Sequence, residues 1–363
     1  MIAPDQHRFL LVADGQFGPM TSKTANSCIR YFPERITAVF DRLEAGKTVQ
    51  DVLGFGGAIP VIGDFARALA AGGGATALIV GIAPAGGRLP DEWRAWLKQA
   101  IERKVEIWSG LHTFISDDPE LGPLARQSGV RILDARKPPA NLPIADGRAA
   151  EVDAYVVHAV GSDCNVGKMT AMLEVKSALV RAGHKARFVA TGQTGIFIEG
   201  WGTAVDAVVA DFIAGAAEAL VLRAAQDSDI VLVEGQGSLL HPGYSGVTLG
   251  LLHGSMPRGL ILCHQSSREY IGDYHGRTPW VKIPPLPQLI ELYEDAARPV
   301  FPTRVIGICL NTYDLDEPAA RAAVRQAQEE TGLPATDPIR FDPTPLSRAV
   351  SDAAEVWRKS RRT

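Results

Sequence analysis

Cysteine is scarce. Cys28, Cys164, Cys263 and Cys309 stand far apart in 363 residues and form no C-x-x-C pair. That pattern excludes a disulfide-stapled scaffold and a thiolate metal knuckle, and reduced thiols in a cytoplasm are the expectation. No apolar run approaches the roughly 18 residues of a membrane span, and the N-terminus lacks the charged-then-apolar order of a secretory leader. A basic surplus is missing as well: 37 Lys and Arg against 41 Asp and Glu leave a net charge of −4. With nothing to neutralise a phosphate backbone, the chain is not expected to bind nucleic acid, and the basic end RKSRRT (358–363) reads as solvated. No repeat of 20 to 50 residues is visible.

What is present is an ordinary globular balance, 46% hydrophobic and 21% charged, in a chain long enough for one or two domains. Short apolar runs such as RFLLVA (8–13), ALIVG (77–81), DIVLV (229–233) and VIGICL (305–310) alternate with helical stretches. That alternation predicts an α/β protein with mostly parallel sheets and helices on both faces. A helix is predicted over 91–103 with Asp91 as its cap. The segment ARKPPANLPIADGRAA (135–150) carries three prolines and little apolar content, so it reads as a linker. The predicted domains are 1–140, Rossmann-like, and 150–363, built on a phosphate loop.

The phosphate loop lies in VHAVGSDCNVGKMTAMLEVKSALVRAG (157–183), a strand, a glycine loop and a helix in the order a phosphate site requires. Gly161 and Gly167 let the backbone turn its N–H groups inward, Lys168 adds a mobile charge, and the helix start adds its dipole. The loop residues Gly161, Ser162, Asn165, Val166, Gly167, Lys168, Met169 and Thr170 are the candidate cofactor ligands. The spacing departs from G-x4-GK-[ST]: five residues separate the glycines and Met169 stands between Lys168 and Thr170.

Ligands in open parallel sheets lie beyond the carboxyl ends of the strands. In the second domain that rule selects TGQTG (191–195), EGQGSLLHPGYSG (234–246), CHQSS (263–267) and Asn311, which adds Gln193, Gln236 and a base-contacting Asn311 to the candidates. Asp163 sits inside the loop, where a carboxylate beside phosphates needs an offsetting charge such as a substrate amine; a loop-bracing hydrogen bond is the plain alternative. Glu234 ends an apolar strand, either as a catalytic acid or as a cap on the glycine turn. His241 follows that turn and is read as a proton acceptor. Asp163, Glu234 and His241 are therefore the catalytic candidates, with no order among them. Cys164 reads as a small side chain in a crowded loop. His241, His253, His264 and His275 crowd together without a zinc spacing, and no metal site is expected. In the first domain DGQFG lacks the full G-x-G-x-x-G, whereas Arg88 and His112 follow strands and suit a substrate carboxylate.

The long loop and the segment DIVLVEGQGS resemble dethiobiotin synthetase. GSDCNVGKMTAMLE, TGQTGI, VEGQGSLLHPGYSGVTLGLLHG and VIGICLNT, with GIAPAGGRLP and SGLHTFISDDPEL earlier, resemble the D-glutamate N-acetyltransferase family over most of the chain. The resemblance implies acetyl transfer from acetyl-CoA, as cosubstrate, to the amino group of D-glutamate or a related amino acid. The rival implication is an ATP- and Mg²⁺-dependent ligase or kinase, with Thr170 and Glu234 on the metal. The displaced Thr170 counts against that rival, since one residue along a helix turns a hydroxyl by about 100°. A homo-oligomer is compatible with either reading.

Overall fold

The computed structural model turns each apolar run into a strand and describes residues 4–82, 89–272 and 281–361. In chain order the first half contributes β1 (Phe9–Val12), α1 (Lys23–Tyr31), β2 (Ile36–Phe40), α2 (Val49–Leu53), β3 (Val61–Ile62), α3 (Phe65–Ala70), β4 (Ala77–Val80), α4 (Asp91–Glu102), β5 (Glu106–Ser109), α5 (Leu121–Ser128) and β6 (Ile132–Asp134). The second half continues with β7 (Tyr155–Gly161), α6 (Lys168–Arg181), β8 (Ala186–Val189), α7 (Gln193–Glu199), α8 (Ile213–Ala224) and β9 (Ile230–Val233). It ends with α9 (Ser245–Ser255), β10 (Gly259–Gln265), α10 (Leu286–Ala297), β11 (Val305–Asn311), α11 (Glu317–Thr331), β12 (Ala335–Thr336) and α12 (Thr344–Ser360). Among the described residues no helix is long and apolar enough to cross a membrane.

One unit comprises Met1–Pro139 and Gly192–Ala207. Its sheet has the order β3-β2-β1-β4-β5-β6, parallel throughout, and every residue of β1, β2 and β4 is buried. Strands covered on both faces need apolar side chains at every position, which explains the unbroken runs. The order is that of the doubly wound dinucleotide-binding fold, as predicted. Helix α7, contributed from the second half, packs here: Phe197 meets Trp108 with ring centroids 6.0 Å apart, and Thr194 and Thr24 hydroxyls lie 2.9 Å apart. The sequence treats 192–195 as a loop of a contiguous second domain, but the glycine at 192 is the N-cap of this short helix.

The other unit, Ala140–Thr191 and Val208–Thr363, has the sheet order β12-β11-β10-β7-β9-β8, again parallel. Strand β7 is buried along its whole length between β10 and β9. The chain leaves β7 for β9 and β8 on one side and β10 to β12 on the other, so its carboxyl end is the switch point.

One expectation needs correction. Asp91 is the first residue of α4 rather than its cap; Pro90 holds the cap position with no side-chain bond. The units part at Pro139 and Ala140, inside the proline-rich stretch read as a linker, and its second part packs on α8. The N–H groups of Asp146 and Gly147 donate to Glu218, which is 0% exposed on α8, at 3.2 and 2.8 Å. Pro143 O lies so close to α8 that a Cβ at Gly215 would stand 1.7 Å from it.

His158, mid-strand in β7, hydrogen-bonds Ser255 at 3.0 Å through Nδ1. Burial first, and Lys168 second, push its pKa down from 6.5 to about 3; His264 is pushed down to about 4 by burial and then Arg268. Both imidazoles are neutral when folded and take protons more readily when unfolded. Their contribution is therefore full above about pH 6.5 and is lost as pH falls toward 4 and 3. At pH 5 each withdraws about 2 kcal/mol, from 1.36 kcal/mol per unit. Urea melts at pH 7.5 and 5.0 should show a large fall in midpoint, smaller in His158→Gln; an equal fall in the two proteins would show that His158 is not responsible.

Candidate phosphate-loop site

The loop between β7 and α6 is built by close approach. A Cβ at Gly161 would stand 2.9 Å from Val166 Cγ2 and 3.2 Å from Lys168 Nζ, and one at Gly235 would stand 1.8 Å from Ala159 O. Gly167 and Asn165 take left-handed φ values of 105° and 56°, which glycine adopts freely and asparagine tolerates. These turns deliver Lys168 to the first position of α6, where it is 7% exposed and donates from Nζ to Asp163 O at 2.7 Å. Val166 is fully buried beneath the loop, Met169 is buried and Thr170 half-buried on α6.

Neighbouring elements hold the rest. Tyr293 on α10 donates to Gly161 O at 2.6 Å and accepts from Leu239 N at 3.2 Å; burial raises its pKa. Ser238 donates to Ser162 O at 3.1 Å, and the Ser162 hydroxyl meets His264 Nδ1 at 2.9 Å. Sequence reasoning did not single out Tyr293, and it selected CHQSS (263–267) without giving His264 a role. Tyr293 lies in a helix whose ELYED pattern reads as surface, and His264 carries no spacing signal.

Asp163 is 1% exposed, and three donors converge on it: Cys164 N at 2.6 Å, Arg268 Nη1 at 2.8 Å and Gly272 N at 3.0 Å. The offsetting charge is thus Arg268 of this chain, which removes the motive for placing a substrate amine there. A buried carboxylate in a loop demands a cation, but the sequence does not say which of 37 supplies it. Glu234, 4% exposed, accepts from Thr191 N at 2.8 Å, while Thr191 Oγ1 donates back to Glu234 O at 2.9 Å and receives Gln236 Nε2 at 3.2 Å. His241 is half-buried and accepts Gly243 N–H at Nδ1, 3.1 Å. In the neutral ring that bond leaves the proton on Nε2.

The structure therefore gathers the loop, Asp163, Glu234, Gln236 and His241 into one region of the second unit. Asn311 ends β11, beside Gln265 of β10, and accepts Tyr313 N at 3.3 Å. Gln193 and His112 belong to the first unit. Gln193 opens α7 against Gly110, and the exposed His112 has its pKa lowered by burial and by Arg136, which itself pairs with Asp206. Arg88 and His275 lie outside the described residues. Donor atoms of Asp163, Cys164 and His241 come within 4.8 Å of one another. Arg268 already balances the Asp163 charge there, so the trio carries no metal assignment.

Comparison with known proteins agrees with this architecture. Residues 143–347 match the P-loop domain of DUF1611, described as a domain of unknown function, and residues 42–138 match its Rossmann-like domain. A D-glutamate N-acetyltransferase from Tritonibacter scottomollicae is 40% identical over 272 residues, 74% of this chain and 78% of the relative. Another from Pseudoalteromonas sp is 37% identical over 269 residues, 74% and 79% of the two chains. The crystal structure of a DUF1611 family protein from Anabaena variabilis superposes with a TM-score of 0.89 at 40% identity, covering 95% of this chain and 99% of that one. With both domain profiles matched in order and curated relatives at this identity, the chain belongs to the DUF1611 family, alongside D-glutamate N-acetyltransferases.

Proposed function

We propose that this protein transfers the acetyl group of acetyl-CoA directly to the amino group of D-glutamate in a ternary complex. The observation that carries the reading is kinship at 37–40% identity over 74% of the chain with enzymes of that name. The site supplies chemistry to match. The loop 161–168 offers Lys168 and the N-terminus of α6 to the phosphates of CoA, as it would to those of a nucleotide. Met169 occupies the place of a metal-binding hydroxyl, which favours an anion site that works without Mg²⁺ over the ligase reading.

The amine attacks only when neutral, so a group must accept its proton, and the thioester oxygen needs a donor as charge builds on it. Asp163 is braced by Arg268, which leaves Glu234 and His241. The Nε2–H of His241 suits donation to the oxygen; Glu234 suits proton acceptance, with Gln236 beside it as the substrate ligand this unit offers. The pantetheine arm spans about a dozen covalent bonds, roughly 15 Å when extended. It must fold back over the loop to bring the thioester to these residues. Cys164, flanked by Asp163 and the incoming phosphates, packs rather than attacks.

Thiol release from acetyl-CoA with D-glutamate should persist in EDTA without ATP, and Cys164→Ser should stay within about tenfold of wild type. ATP consumption coupled to product would promote the ligase instead, and an acetylated Cys164 trapped without the amine would replace direct transfer. Lys168→Ala should weaken CoA binding at least about tenfold, or about 1.4 kcal/mol, by calorimetry; unchanged affinity would remove the phosphate role of the loop. Glu234→Gln should lower kcat about 10²–10⁴-fold with little change in donor affinity. His241→Gln retains an N–H near the Nε2 position and should keep more activity than His241→Ala. Equal losses in the two His241 variants would make that ring the base.

A further inference from the structure

A phosphate nest works when consecutive N–H groups point inward and the carbonyls between them are turned away and occupied. In this loop the two consecutive carbonyls at 163 and 164 are taken by different cations. Lys168 Nζ holds Asp163 O at 2.7 Å from within the loop. Arg268 Nη1, arriving from the segment after β10, holds Cys164 O at 2.9 Å and the Asp163 carboxylate at 2.8 Å. Arg268 Nη2 is itself anchored to Gln265 Oε1 at 2.5 Å. The other carboxylate oxygen of Asp163 takes Cys164 N at 2.6 Å, and Gly272 N adds a bond at 3.0 Å to the oxygen Arg268 holds. The Arg268 side chain is 12% exposed and its partner carboxylate 1%, so the assembly is shielded from competing water.

We infer that Arg268 is a positioning residue of the phosphate site: through Asp163 and the Cys164 carbonyl it holds the loop in the shape that accepts a phosphorylated ligand. The inference rests on the reading of 161–168 as the grip on acetyl-CoA. Its substance is geometric, because Asp163 already neutralises the guanidinium. One planar fork reaches a carboxylate, a backbone carbonyl and an amide oxygen together, and a lysine ammonium at the same place cannot. Removing Arg268 alone leaves Asp163 buried without its cation, a change that strains folding as well as function. Asp163→Asn combined with Arg268→Gln removes the buried charge together with the latch.

The test uses two acetyl donors. Acetyl-CoA carries phosphates; acetyl-pantetheine presents the same thioester without them. Arg268→Lys, Arg268→Gln and the double variant should each lose at least about tenfold in CoA affinity and in kcat/KM with acetyl-CoA. With acetyl-pantetheine the same proteins should lose at least about threefold less in kcat/KM than they lose with acetyl-CoA. Wild-type affinity in Arg268→Lys would show that charge alone suffices and would overturn the inference. Equal losses on both donors in the double variant would reduce Arg268 to a structural residue. Wild type that binds neither CoA nor pyrophosphate by calorimetry would remove the phosphate reading and this role together; wild type that binds, with variants that match it, would remove the role alone.

Discussion

A lysine ammonium almost withdrawn from water is the constraint around which the second unit is arranged. Lys168 is tolerable at 7% exposure because a loop carbonyl accepts its hydrogen bond and the glycines at 161 and 235 leave room for its stem. The neighbours adjust to it. His158, on the strand below, stays neutral through burial with a further contribution from the lysine charge. The backbone at Gly161 and Ser162 is tied by Tyr293 and Ser238, so the loop cannot relax to release the ammonium to solvent.

The central strands were legible because burial on both faces forces unbroken apolar runs, and β1, β4, β9 and β11 follow theirs within a residue or two. Helices α9, α10 and α12 were not anticipated, and each has a different physical reason. Glycines at 246, 250 and 254 give α9 the look of a loop, yet a Cβ at Gly250 would stand 2.7 Å from Ile213 Cγ2 and one at Gly254 2.1 Å from Ala214 O; the helix needs those two to lie against α8. Prolines at 284, 285 and 287 mask the start of α10; Pro285 holds the cap position and Pro287 the first turn, whose N–H groups have no helical partner. Helix α12 has Pro343 at its cap and Pro345 in its first turn in the same way.

The site was legible by the same rule and failed in the same way. Residues at strand ends were found because topology places ligands there, so the loop, Glu234 and Gln236 fall in one region. Pairings across distant segments were not found. Arg268 and Asp163 lie 105 residues apart, and no local pattern announces that one needs the other. Gln193 was assigned from its position after β8, but the chain leaves the second sheet there to add a helix to the first unit.

The first unit shows why strand order alone does not confer a ligand. Its 3-2-1-4-5-6 sheet is the dinucleotide-binding arrangement, in which an acid near the end of the second strand holds a ribose. Asp41 follows β2, but its carboxylate is consumed by the N–H groups of Phe17, Leu43 and Glu44 at 3.0, 2.7 and 2.8 Å. Arg42, the residue positioned for a phosphate, is paired with Asp14 and Glu92 at 2.6 and 2.5 Å. A dinucleotide has to break both sets of bonds and does so against DGQFG, a turn with too few glycines for close approach to a pyrophosphate. The unit keeps the strand order of a Rossmann domain, while Asp41, Asp14, Arg42 and Glu92 are engaged with one another or with backbone N–H groups.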